Sequence, residues 1–298
     1  MTRHVAVVVP VRDDPRLTRC LDALARQTLP PVEVVVVDDG SRRPVDPRPG
    51  VTVVRRPPLG SYAARNAGLE QLRARELPSY VAFTDADCLP QPTWLERAVA
   101  ALEDDPSAAA VTGPIEVFPH GPRPGAVELY DALTGFPQRE FVERWGFGAT
   151  ANLVVRRAAL EAVGPFRDHL QSGGDAEWGE RAAAAGHRTV FRDDVIVRHP
   201  ARDSLVEILR KARRTTRGAE QLGRDRGTLP PWFALATERL TRPWRGVPLL
   251  RDGRLSPVDR VRAFGVAVVV HAVIAAEIVR VRAEWTRARW VGARRVRP

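Results

Sequence analysis

Two kinds of hydrophobic pattern alternate along the first hundred residues. Short continuous runs of valine and other apolar residues are typical of strands buried on both faces of a parallel sheet. Between them, apolar residues recur every three or four positions, which predicts amphipathic helices. Strands are predicted at residues 5–9, 32–37, 51–54 and 80–84, and helices at residues 15–27 and 61–75. This order with short connections predicts an open α/β sheet, and such sheets bind ligands at the carboxyl ends of their strands.

The pattern changes after a further helix predicted at residues 94–102. Residues 110–144 contain five prolines and predict a loop-rich segment. Regular elements then return, with strands predicted at 151–155, 189–191 and 195–199, and helices at 158–163 and 177–185. Beyond Pro200 the chain is predicted to form basic amphipathic helices, interrupted near 230–231 and 243–248. We therefore expect an α/β domain over residues 1–200 and a basic helical extension over residues 201–298.

Length and composition narrow the class of protein. The chain has 298 residues, of which 44% are hydrophobic and 28% are charged, so it can bury a large core without disulfides. Its two cysteines, Cys20 and Cys88, cannot form a disulfide framework and have no zinc-site spacing, which favours a reducing compartment. The apolar run at residues 5–9 is too short for a secretion signal. We therefore expect a cytoplasmic location.

Charge is distributed unevenly along the chain. Residues 1–200 carry 24 basic and 27 acidic side chains, whereas residues 201–298 carry 22 basic and 9 acidic ones. The basic residues of the second group are nearly all arginines, and Lys211 is the only lysine in the sequence. A basic segment after a near-neutral domain indicates an anionic surface as partner, either membrane phospholipid or nucleic acid. The alternative is a set of solvated arginine-rich helices.

Carboxylates follow two of the predicted strands. Asp85 and Asp87 come directly after the fourth strand, where two carboxylates can hold a divalent cation against a diphosphate. Asp38 and Asp39 follow the second strand, where an acid can accept hydrogen bonds from a base or a ribose hydroxyl. The alternatives are an ordinary acidic loop for the first pair and an Asx turn for the second.

Three further residues are candidates for chemistry. Arg65 lies near the start of a predicted helix and can meet a phosphate or a base there. Asp175 follows two glycines at the start of another helix, where it serves either as a general base or as an N-cap. His199 ends the last predicted strand, where it is either structural or completes a metal shell built otherwise from oxygen atoms.

Seven motifs in these segments resemble those of family 2 glycosyltransferases. Each motif alone is weak, but their order and spacing over about the first 200 residues are those of the family. In this sequence they are Val-Pro-Val-Arg (9–12), Val-Val-Asp-Asp-Gly-Ser (36–41), Ala-Arg-Asn-Ala-Gly (64–68), Phe-Thr-Asp-Ala-Asp (83–87), Ala-Asn-Leu-Val-Val-Arg-Arg (151–157), Gly-Pro-Phe (164–166) and Gly-Asp-Ala-Glu-Trp-Gly-Glu-Arg (174–181). The resemblance implies a GT-A fold, a Rossmann-like mixed α/β sheet flanked by helices. It also implies a nucleotide-binding half over residues 1–110 and an acceptor half over residues 111–200.

The resemblance implies a role for each matching residue. The donor nucleotide would contact Pro10, Val11, Arg12, Asp38, Asp39, Arg65, Asp85 and Ala86. The metal would be held by Asp87 and His199, and Asp175 would be the catalytic base. The acceptor-side candidates are Asn152, Gly174, Glu177 and Trp178. Among these, Gly174 replaces the glutamate of the family's Glu-Asp motif.

The activity implied by the resemblance is a metal-dependent, inverting transfer of a sugar, of hexosyltransferase type. The donor would be a UDP- or GDP-linked sugar, the cofactor Mn²⁺ or Mg²⁺, and the acceptor a hydroxyl of a glycan, a lipid-linked molecule or a small molecule. Cell-envelope glycan biosynthesis is the expected setting, and nucleic acid is not an expected partner. The alternative function is a non-catalytic protein that binds nucleic acid or membrane through its basic C-terminal region.

One apolar stretch in the basic region bears on membrane association. Residues 263–276 form a run of 14 mostly apolar residues between clusters of arginine, with tryptophans nearby. Because spanning a bilayer takes about 20 such residues, we expect this run to be too short to cross. It predicts instead a helix that lies in the interface at the cytoplasmic face of the membrane. The alternative is a helix that packs its apolar face onto the catalytic domain.

Overall fold

The computed structural model describes residues 4–75, 78–229, 250, 252–253 and 255–295, with side chains described up to residue 287. The chain divides into two units. The first unit comprises Met1–Phe118, Phe136–Leu170 and Gly174–Pro200, and the second comprises Pro119–Gly135, Gln171–Gly173 and Ala201–Pro298. The division therefore differs from the one expected from the sequence, because residues 119–135 belong with the basic C-terminal region.

A seven-stranded sheet forms the core of the first unit. Its strands, numbered in chain order, are β1 (Val5–Val11), β2 (Glu33–Asp38), β3 (Val51–Arg55), β4 (Tyr80–Thr84), β6 (Ala108–Thr112), β8 (Asn152–Arg156) and β9 (Arg188–Phe191). Their spatial order is β3-β2-β1-β4-β8-β6-β9, and only β8 runs antiparallel to its neighbours. Every residue of β1 and β4 is buried. Burial on both faces explains why these strands are continuous apolar runs.

A second, three-stranded sheet in the same unit lies beside the acidic motif after β4. It consists of β5 (Leu89–Pro90), β7 (Ile115–Phe118) and β10 (Val197–Pro200), in the order β5-β10-β7. β5 begins two residues after Asp87, and it pairs antiparallel with β10 through Leu89 and Arg198. This pairing brings His199 next to the acidic motif, although the two are 112 positions apart in the sequence.

Helices cover the large sheet of the first unit. They are α1 (Leu17–Ala25), α2 (Ser61–Arg73), α3 (Trp94–Asp104), α5 (Gln138–Trp145), α6 (Arg157–Val163) and α7 (Gly174–Ala184). α2 approaches the sheet closely at Gly68, where an added Cβ would lie 2.5 Å from a methyl carbon of Val8. Only glycine allows α2 to pack this closely against β1.

The expectation of a loop-rich segment at residues 110–144 is wrong. This stretch contains the end of β6, all of β7, a helix α4 (Ala126–Thr134) and most of α5. Its prolines stand between these elements: Pro114 lies in the link from β6 to β7, and Pro137 directly precedes the first residue of α5. Because proline is tolerated at the start of a helix and in turns, it delimits the elements here without breaking them.

The second unit is helical in its described part. α8 (Leu205–Asp225) and α9 (Pro257–Arg295) pack together with α4. Ile208 and Ala212 of α8 form a buried cluster with Val266 and Val270 of α9. The interruptions predicted near 230–231 and 243–248 lie outside the described residues.

Ion pairs between buried carboxylates and arginines also join α8 to α9, on the C-terminal side of this apolar cluster. Arg217 of α8 contacts Glu277 of α9 at 2.5 Å, and Arg282 of α9 contacts Glu220 of α8. Both carboxylates are about 5% exposed or less. A buried ion pair loses much of its stabilisation when one partner is removed, so these contacts fix how the two helices face each other.

The expectation that the apolar run in the C-terminal region is too short to cross a bilayer is also wrong. The run belongs to a helical stretch over Pro257–Arg287 with a mean hydropathy of 2.0 in its most apolar window, which is long and apolar enough to span a membrane by length and composition. One such helix is weak evidence of a span, and 33% of that window is buried in the structure. Glu277, paired with Arg217, lies within the same stretch.

Candidate active site

The aspartates predicted to bind a donor lie at the carboxyl edge of the large sheet. β1 and β2 pair in parallel with Val11 opposite Asp38, so both strands end at the same level. β4 pairs with the other side of β1 and ends at Thr84, directly before Asp85. The two acidic motifs therefore flank the end of β1, where an α/β sheet binds ligands.

Asp38 and Asp39 shape the loops around this edge. Asp38 is fully buried, and its carboxylate accepts hydrogen bonds from the backbone N–H of Ser41 and from the guanidinium of Arg55, both at 2.8 Å. Burial alone would raise the pKa of Asp38, but hydrogen bonding from the side chain and backbone of Ser41, the backbone of Val45 and the charge of Arg55 outweigh burial and hold the pKa below its usual value. Asp39 accepts bonds from the backbone N–H groups of the two residues before α2, at 3.0 and 2.8 Å. Hydrogen bonds from neighbouring protein groups therefore hold both carboxylates in place.

The remaining predicted contacts at the end of β1 and after β4 differ in exposure. Pro10, Val11 and Ala86 are buried, whereas the side chain of Arg12 is exposed. The next residue, Asp13, has a φ of 50°, in the left-handed region that non-glycine residues rarely adopt. Its backbone N–H donates to the hydroxyl of Ser41 at 3.0 Å. The two loops that would flank a nucleotide base are therefore joined directly.

Arg65 is a buried cation beside the first aspartate of the acidic motif after β4. Its side chain is 3% exposed, and one of its terminal nitrogens lies 2.5 Å from Asp85 Oδ1. Its guanidinium also lies 5.6 Å from the centre of the Tyr62 ring. Among the described residues, its Nε has no hydrogen-bond partner. Because a buried donor without a partner is costly, this atom is consistent with a site built for a ligand that is anionic or rich in acceptors.

A cluster of possible metal ligands lies at the second aspartate of the motif. Asp87, Cys88 and His199 each place one ligand atom within 4.8 Å of the others. The Nε2 atom of His199 lies 3.3 Å from Asp87 Oδ2. The Nδ1 atom of His199 lies 2.6 Å from the carbonyl oxygen of Pro200, which only accepts hydrogen bonds, so the proton is assigned to Nδ1 and the Nε2 lone pair faces Asp87. A carboxylate oxygen and an imidazole lone pair facing each other are a donor set that suits Mn²⁺.

The two cysteines, Cys88 in this cluster and Cys20, are neutral thiols. Both are buried. Burial, and next the negative charges of Asp87 and Asp85, raise the pKa of Cys20 and of Cys88. The Cys88 sulfur lies 3.9 Å from Asp87 Oδ1, as expected for a weak S–H donor.

Asp175 lies in the first turn of α7, as expected from the sequence. Its Oδ1 atom accepts a hydrogen bond from the phenol of Tyr62 at 3.2 Å and one from the backbone N–H of Ala176 at 3.1 Å. The residue is partly exposed. Tyr62 thus lies between Asp175 and Arg65, and it links the predicted base to the predicted diphosphate site.

Asn152, expected on the acceptor side, is instead enclosed in the sheet. It is fully buried, and its Oδ1 accepts a hydrogen bond from the indole N–H of Trp94 at 2.8 Å. Its Nδ2 donates to the carbonyl oxygens of Val195 at 2.8 Å and Pro114 at 3.1 Å. The side chain therefore joins β8 to α3 and to the loops before β7 and β10 through hydrogen bonds within the fold.

Glu177 and Trp178 are likewise enclosed. Glu177 is 5% exposed, and its carboxylate contacts Arg181 and Arg167, both at 2.8 Å. Trp178 is 1% exposed, and its indole N–H donates to the carbonyl oxygen of Gly164 at 3.0 Å. Both side chains therefore hold α7 in place through contacts within the protein.

An open groove of about 570 Å³ lies in the first unit, among residues between Pro114 and Phe191. Its walls include Phe136, Phe191 and Arg139, whose guanidinium stacks 4.4 Å from the Phe191 ring. The Phe136 ring is also 5.2 Å from the ring of His199. One wall of the groove therefore touches the candidate metal cluster.

Three residues at the site were missed from the sequence. Tyr62 lies one helical turn before Arg65, and that spacing places both on one face of α2. Cys88 is adjacent to Asp87 and was set aside because its spacing fits no zinc pattern. Arg16 has one guanidinium nitrogen 3.3 Å from Asp87 Oδ2, a contact that nothing in the linear pattern indicates.

Comparison with known proteins shows that the chain is a glycosyltransferase that uses a nucleotide sugar. Residues 6–164 match the model of the family described as Glycosyl transferase family 2. The chain is 38% identical over 246 residues to the glycosyltransferase AglE of Haloferax volcanii, and the aligned region covers 78% of each protein. It is 33% identical over 225 residues to the pre-mycofactocin glycosyltransferase of Mycobacterium tuberculosis, and the aligned region covers 70% of this chain and 46% of that protein. The chain belongs to glycosyltransferase family 2.

A solved structure supports the same fold. The mannosyltransferase PcManGT from Pyrobaculum calidifontis, in complex with GDP-Man and Mn²⁺, matches with a TM-score of 0.59 and 23% identity over 94% of this chain and 86% of that one. The predicted GT-A fold is thereby confirmed. The chain is a glycosyltransferase, so the alternative of a non-catalytic protein is wrong.

Proposed function

We propose that this glycosyltransferase moves a sugar from a nucleoside-diphosphate donor to an acceptor hydroxyl, with inversion at the anomeric carbon and with a divalent cation. The observation that carries the proposal is the set of charges at the end of β4. The Arg65–Asp85 pair and the Asp87–His199 cluster lie at the two ends of one three-residue motif. A diphosphate needs positive charge at such a position, and a cation with a buried arginine supplies it.

Asp87 and His199 would hold the cation. The carboxylate oxygen and the imidazole Nε2 are suitable ligands for Mn²⁺ or Mg²⁺, with imidazole favouring Mn²⁺. When bound, the cation would neutralise negative charge on the departing nucleoside diphosphate. The relative solved with GDP-Man and Mn²⁺ supports this choice of ligand class.

Arg65 would bind the diphosphate, and Asp85 would orient both Arg65 and the donor ribose. Because Arg65 is buried, its charge acts through little water and is strong at short range. Its unpartnered Nε would gain a hydrogen bond on ligand binding. Asp38 and Asp39, held by their backbone hydrogen bonds, would shape the pocket for the base.

Asp175 would act as the general base. Its carboxylate would take the proton from the acceptor hydroxyl as that oxygen attacks the anomeric carbon from the face opposite the diphosphate. A single displacement of this kind inverts the configuration and needs no covalent intermediate on the protein. The groove lined by Phe136 and Phe191 would guide the acceptor, since flat apolar walls suit the faces of sugar rings.

We further propose that the enzyme works as a peripheral protein at the cytoplasmic face of the membrane, in cell-envelope glycan synthesis on a lipid-linked acceptor. The observation that favours this is the outer face of α9. Between Val258 and Ala283 its exposed positions are valine, alanine, glycine and two arginines, with no acidic residue among them. An apolar helix face with arginines at its ends fits the interface of an anionic bilayer.

Calorimetry of nucleotide binding tests the donor and cation sites together. GDP and UDP are titrated into the protein with Mn²⁺, with Mg²⁺ or with EDTA. We expect clear binding with a cation and at least tenfold weaker binding in EDTA, because Asp85 and Asp87 then face the diphosphate without a bound cation. A His199→Gln variant should lose most of this dependence on the cation.

A matched control is His187→Gln, since His187 precedes β9 at the opposite edge of the sheet and should bind like the wild type. Equal affinity of the wild type in EDTA would contradict the metal site. A screen of nucleotide sugars by thermal shift then identifies the donor.

A further inference from the structure

The phenol of Tyr62 is directed at the first turn of α7. Its hydroxyl donates to Asp175 Oδ1 at 3.2 Å, across 113 positions of sequence. In the described part of the chain, the recorded hydrogen bonds to the Asp175 carboxylate all fall on Oδ1. One oxygen is thus fixed, and Oδ2 stays available to accept a proton.

The Tyr62 ring occupies the space next to Gly174. A Cβ added at Gly174 would lie 2.8 Å from Cε2 of Tyr62 and 2.9 Å from Cδ2, closer than real Cβ contacts. Gly174 does not have a positive φ, so the reason for glycine here is steric and not conformational. The same contact accounts for the absence of the glutamate that the family pattern has at this position.

The ring is held on its other sides by a rigid aromatic group. It stacks with Phe166 at 6.0 Å, and Phe166 meets the edge of Phe83 at 5.4 Å. Asn66 clamps the backbone of Phe166 by accepting from its N–H at 2.9 Å and donating to its carbonyl at 2.8 Å. A ring packed in this way has little rotational freedom, so the hydroxyl at its tip has a fixed position.

The phenol is also suited to remain a donor. Burial, and next the negative charge of Asp175, raise the pKa of Tyr62. The hydroxyl therefore keeps its proton throughout the working range of an enzyme. The guanidinium of Arg65 lies 5.6 Å from the centre of the same ring, so the ring packs against the arginine while its hydroxyl holds the carboxylate.

We propose that Tyr62 is a positioning residue for the acceptor base: its hydroxyl holds Asp175 Oδ1 so that Oδ2 faces the acceptor, and Gly174 is glycine to admit the ring. This inference rests on the proposed function, in which Asp175 is the base. Tyr62 itself takes no proton from the acceptor. It acts through Asp175.

Replacement Tyr62→Phe tests the inference, because it removes the hydroxyl and keeps the ring that packs on Phe166 and Gly174. We expect kcat to fall about tenfold or more, with the KM for the donor changed less than twofold and the melting temperature close to that of the wild type. We also expect the acid limb of the pH–rate profile to move to higher pH, since a donor that favours the carboxylate form is lost. A purely structural role would leave the profile unchanged. Tyr130→Phe, on α4, is the matched control.

A second measurement reports the contact without any turnover. The chain has three tyrosines, at positions 62, 80 and 130, so protein labelled with 3-fluorotyrosine should give three ¹⁹F resonances. Tyr62→Phe assigns one of them. We expect Asp175→Asn to shift that resonance and leave the other two in place.

The outcomes separate this inference from the proposed function. Wild-type kcat and pH profile in Tyr62→Phe, while Asp175→Asn is inactive, would overturn the positioning role alone. An unshifted Tyr62 resonance in Asp175→Asn would overturn the contact itself. Full transfer by Asp175→Asn would overturn the role of Asp175 in the proposed function, whatever the fluorine spectrum gives.

Discussion

A guanidinium nitrogen of Arg16 lies 3.3 Å from Asp87 Oδ2, the same oxygen that faces the Nε2 atom of His199. Arg16 also pairs with Asp14 at 2.7 Å. Arg16 thus places positive charge beside this carboxylate oxygen. A cation that binds to Asp87 and His199 would therefore compete with Arg16 for one carboxylate oxygen.

The first prediction is that Arg16→Gln binds Mn²⁺ more tightly in the absence of nucleotide. The side chain is 42% exposed, so its competition is screened and the gain should be about threefold, as for a partly exposed ion pair. Calorimetric titration of Mn²⁺ measures it. Arg19→Gln, at an exposed position in the first turn of α1, which Arg16 directly precedes, is the control and should bind like the wild type. Weaker binding by Arg16→Gln would mean that Arg16 helps to assemble the site.

The second prediction concerns the base. Asp175→Asn keeps the shape of the side chain but cannot accept a proton, so we expect transfer to fall by about 100- to 10,000-fold. Binding of the donor nucleotide, measured by calorimetry, should stay within about twofold of the wild type. Asp168→Asn, at an exposed position before α7, should transfer normally. Transfer at the full rate by Asp175→Asn would reduce Asp175 to a residue of the helix end.

The sequence predicted six of the seven strands of the large sheet and missed β6, part of which fell in the segment expected to be loop-rich. The clearest predictions were strands that are buried on both faces. Val5–Val11 and Tyr80–Thr84 have no exposed residue, and such strands appear in the sequence as continuous apolar runs whatever their surroundings. β7, by contrast, is mostly half-buried or exposed, and β5 has only two residues. Neither is long or apolar enough to produce a pattern, so the small sheet that brings His199 to Asp87 was found only in the structure.

The candidate site shows the same division. Motif positions such as Asp85 and Arg65 were predicted because the residue types and their spacing can be read directly from the sequence. In the structure the two side chains form an ion pair at 2.5 Å. Asn152 belongs to the same set of motifs, yet it is fully buried and fully hydrogen-bonded within the fold. Spacing alone does not distinguish a residue that meets a ligand from one that supports the residues that do. Burial and hydrogen-bond partners make that distinction.

A buried ion cluster in the second unit has a predictable dependence on pH. Asp131 is 1% exposed and contacts Lys211 and Arg202, both at 3.1 Å. Burial alone would raise the pKa of Asp131, but the two cations outweigh it and the pKa lies below its usual value. A carboxyl group whose folded-state pKa is lowered contributes stability above its unfolded pKa, and this contribution is lost as pH falls through the folded pKa.

The third prediction follows from that cluster. Asp131→Asn leaves Lys211 and Arg202 without their buried counter-ion, so we expect the free energy of unfolding at pH 7 to fall by about 3 kcal/mol. Below about pH 4 the unfolded chain takes up a proton at Asp131 before the folded protein does, so the contribution of Asp131 falls and the difference between the two proteins should shrink, until it is lost below the lowered folded-state pKa. Calorimetric unfolding at several pH values measures this difference. Asp203 is exposed and follows Arg202 directly in the sequence, so Asp203→Asn should unfold like the wild type. A difference that stays constant down to pH 3 would contradict the ion-pair explanation.

The last prediction tests the outer face of α9 as a membrane surface. Val268 and Val269 are 43% and 42% exposed, so replacing both by aspartate should leave the fold intact and place charge on the apolar face. We expect the wild-type chain to co-sediment with vesicles that contain anionic lipid, less with neutral vesicles, and less again at high salt, since arginines near the surface attract anionic headgroups over about one Debye length.

The double variant should stay in the supernatant, whereas Val32→Asp, 56% exposed in the first unit, should bind like the wild type. Alkaline carbonate separates the two ways in which a helix of this length can meet a bilayer: it releases a helix that lies in the interface and leaves a spanning helix in place. Release by carbonate is the result that the interfacial assignment requires. Retention would identify α9 as a span, and an absence of binding at low salt would leave its valine face to a protein partner.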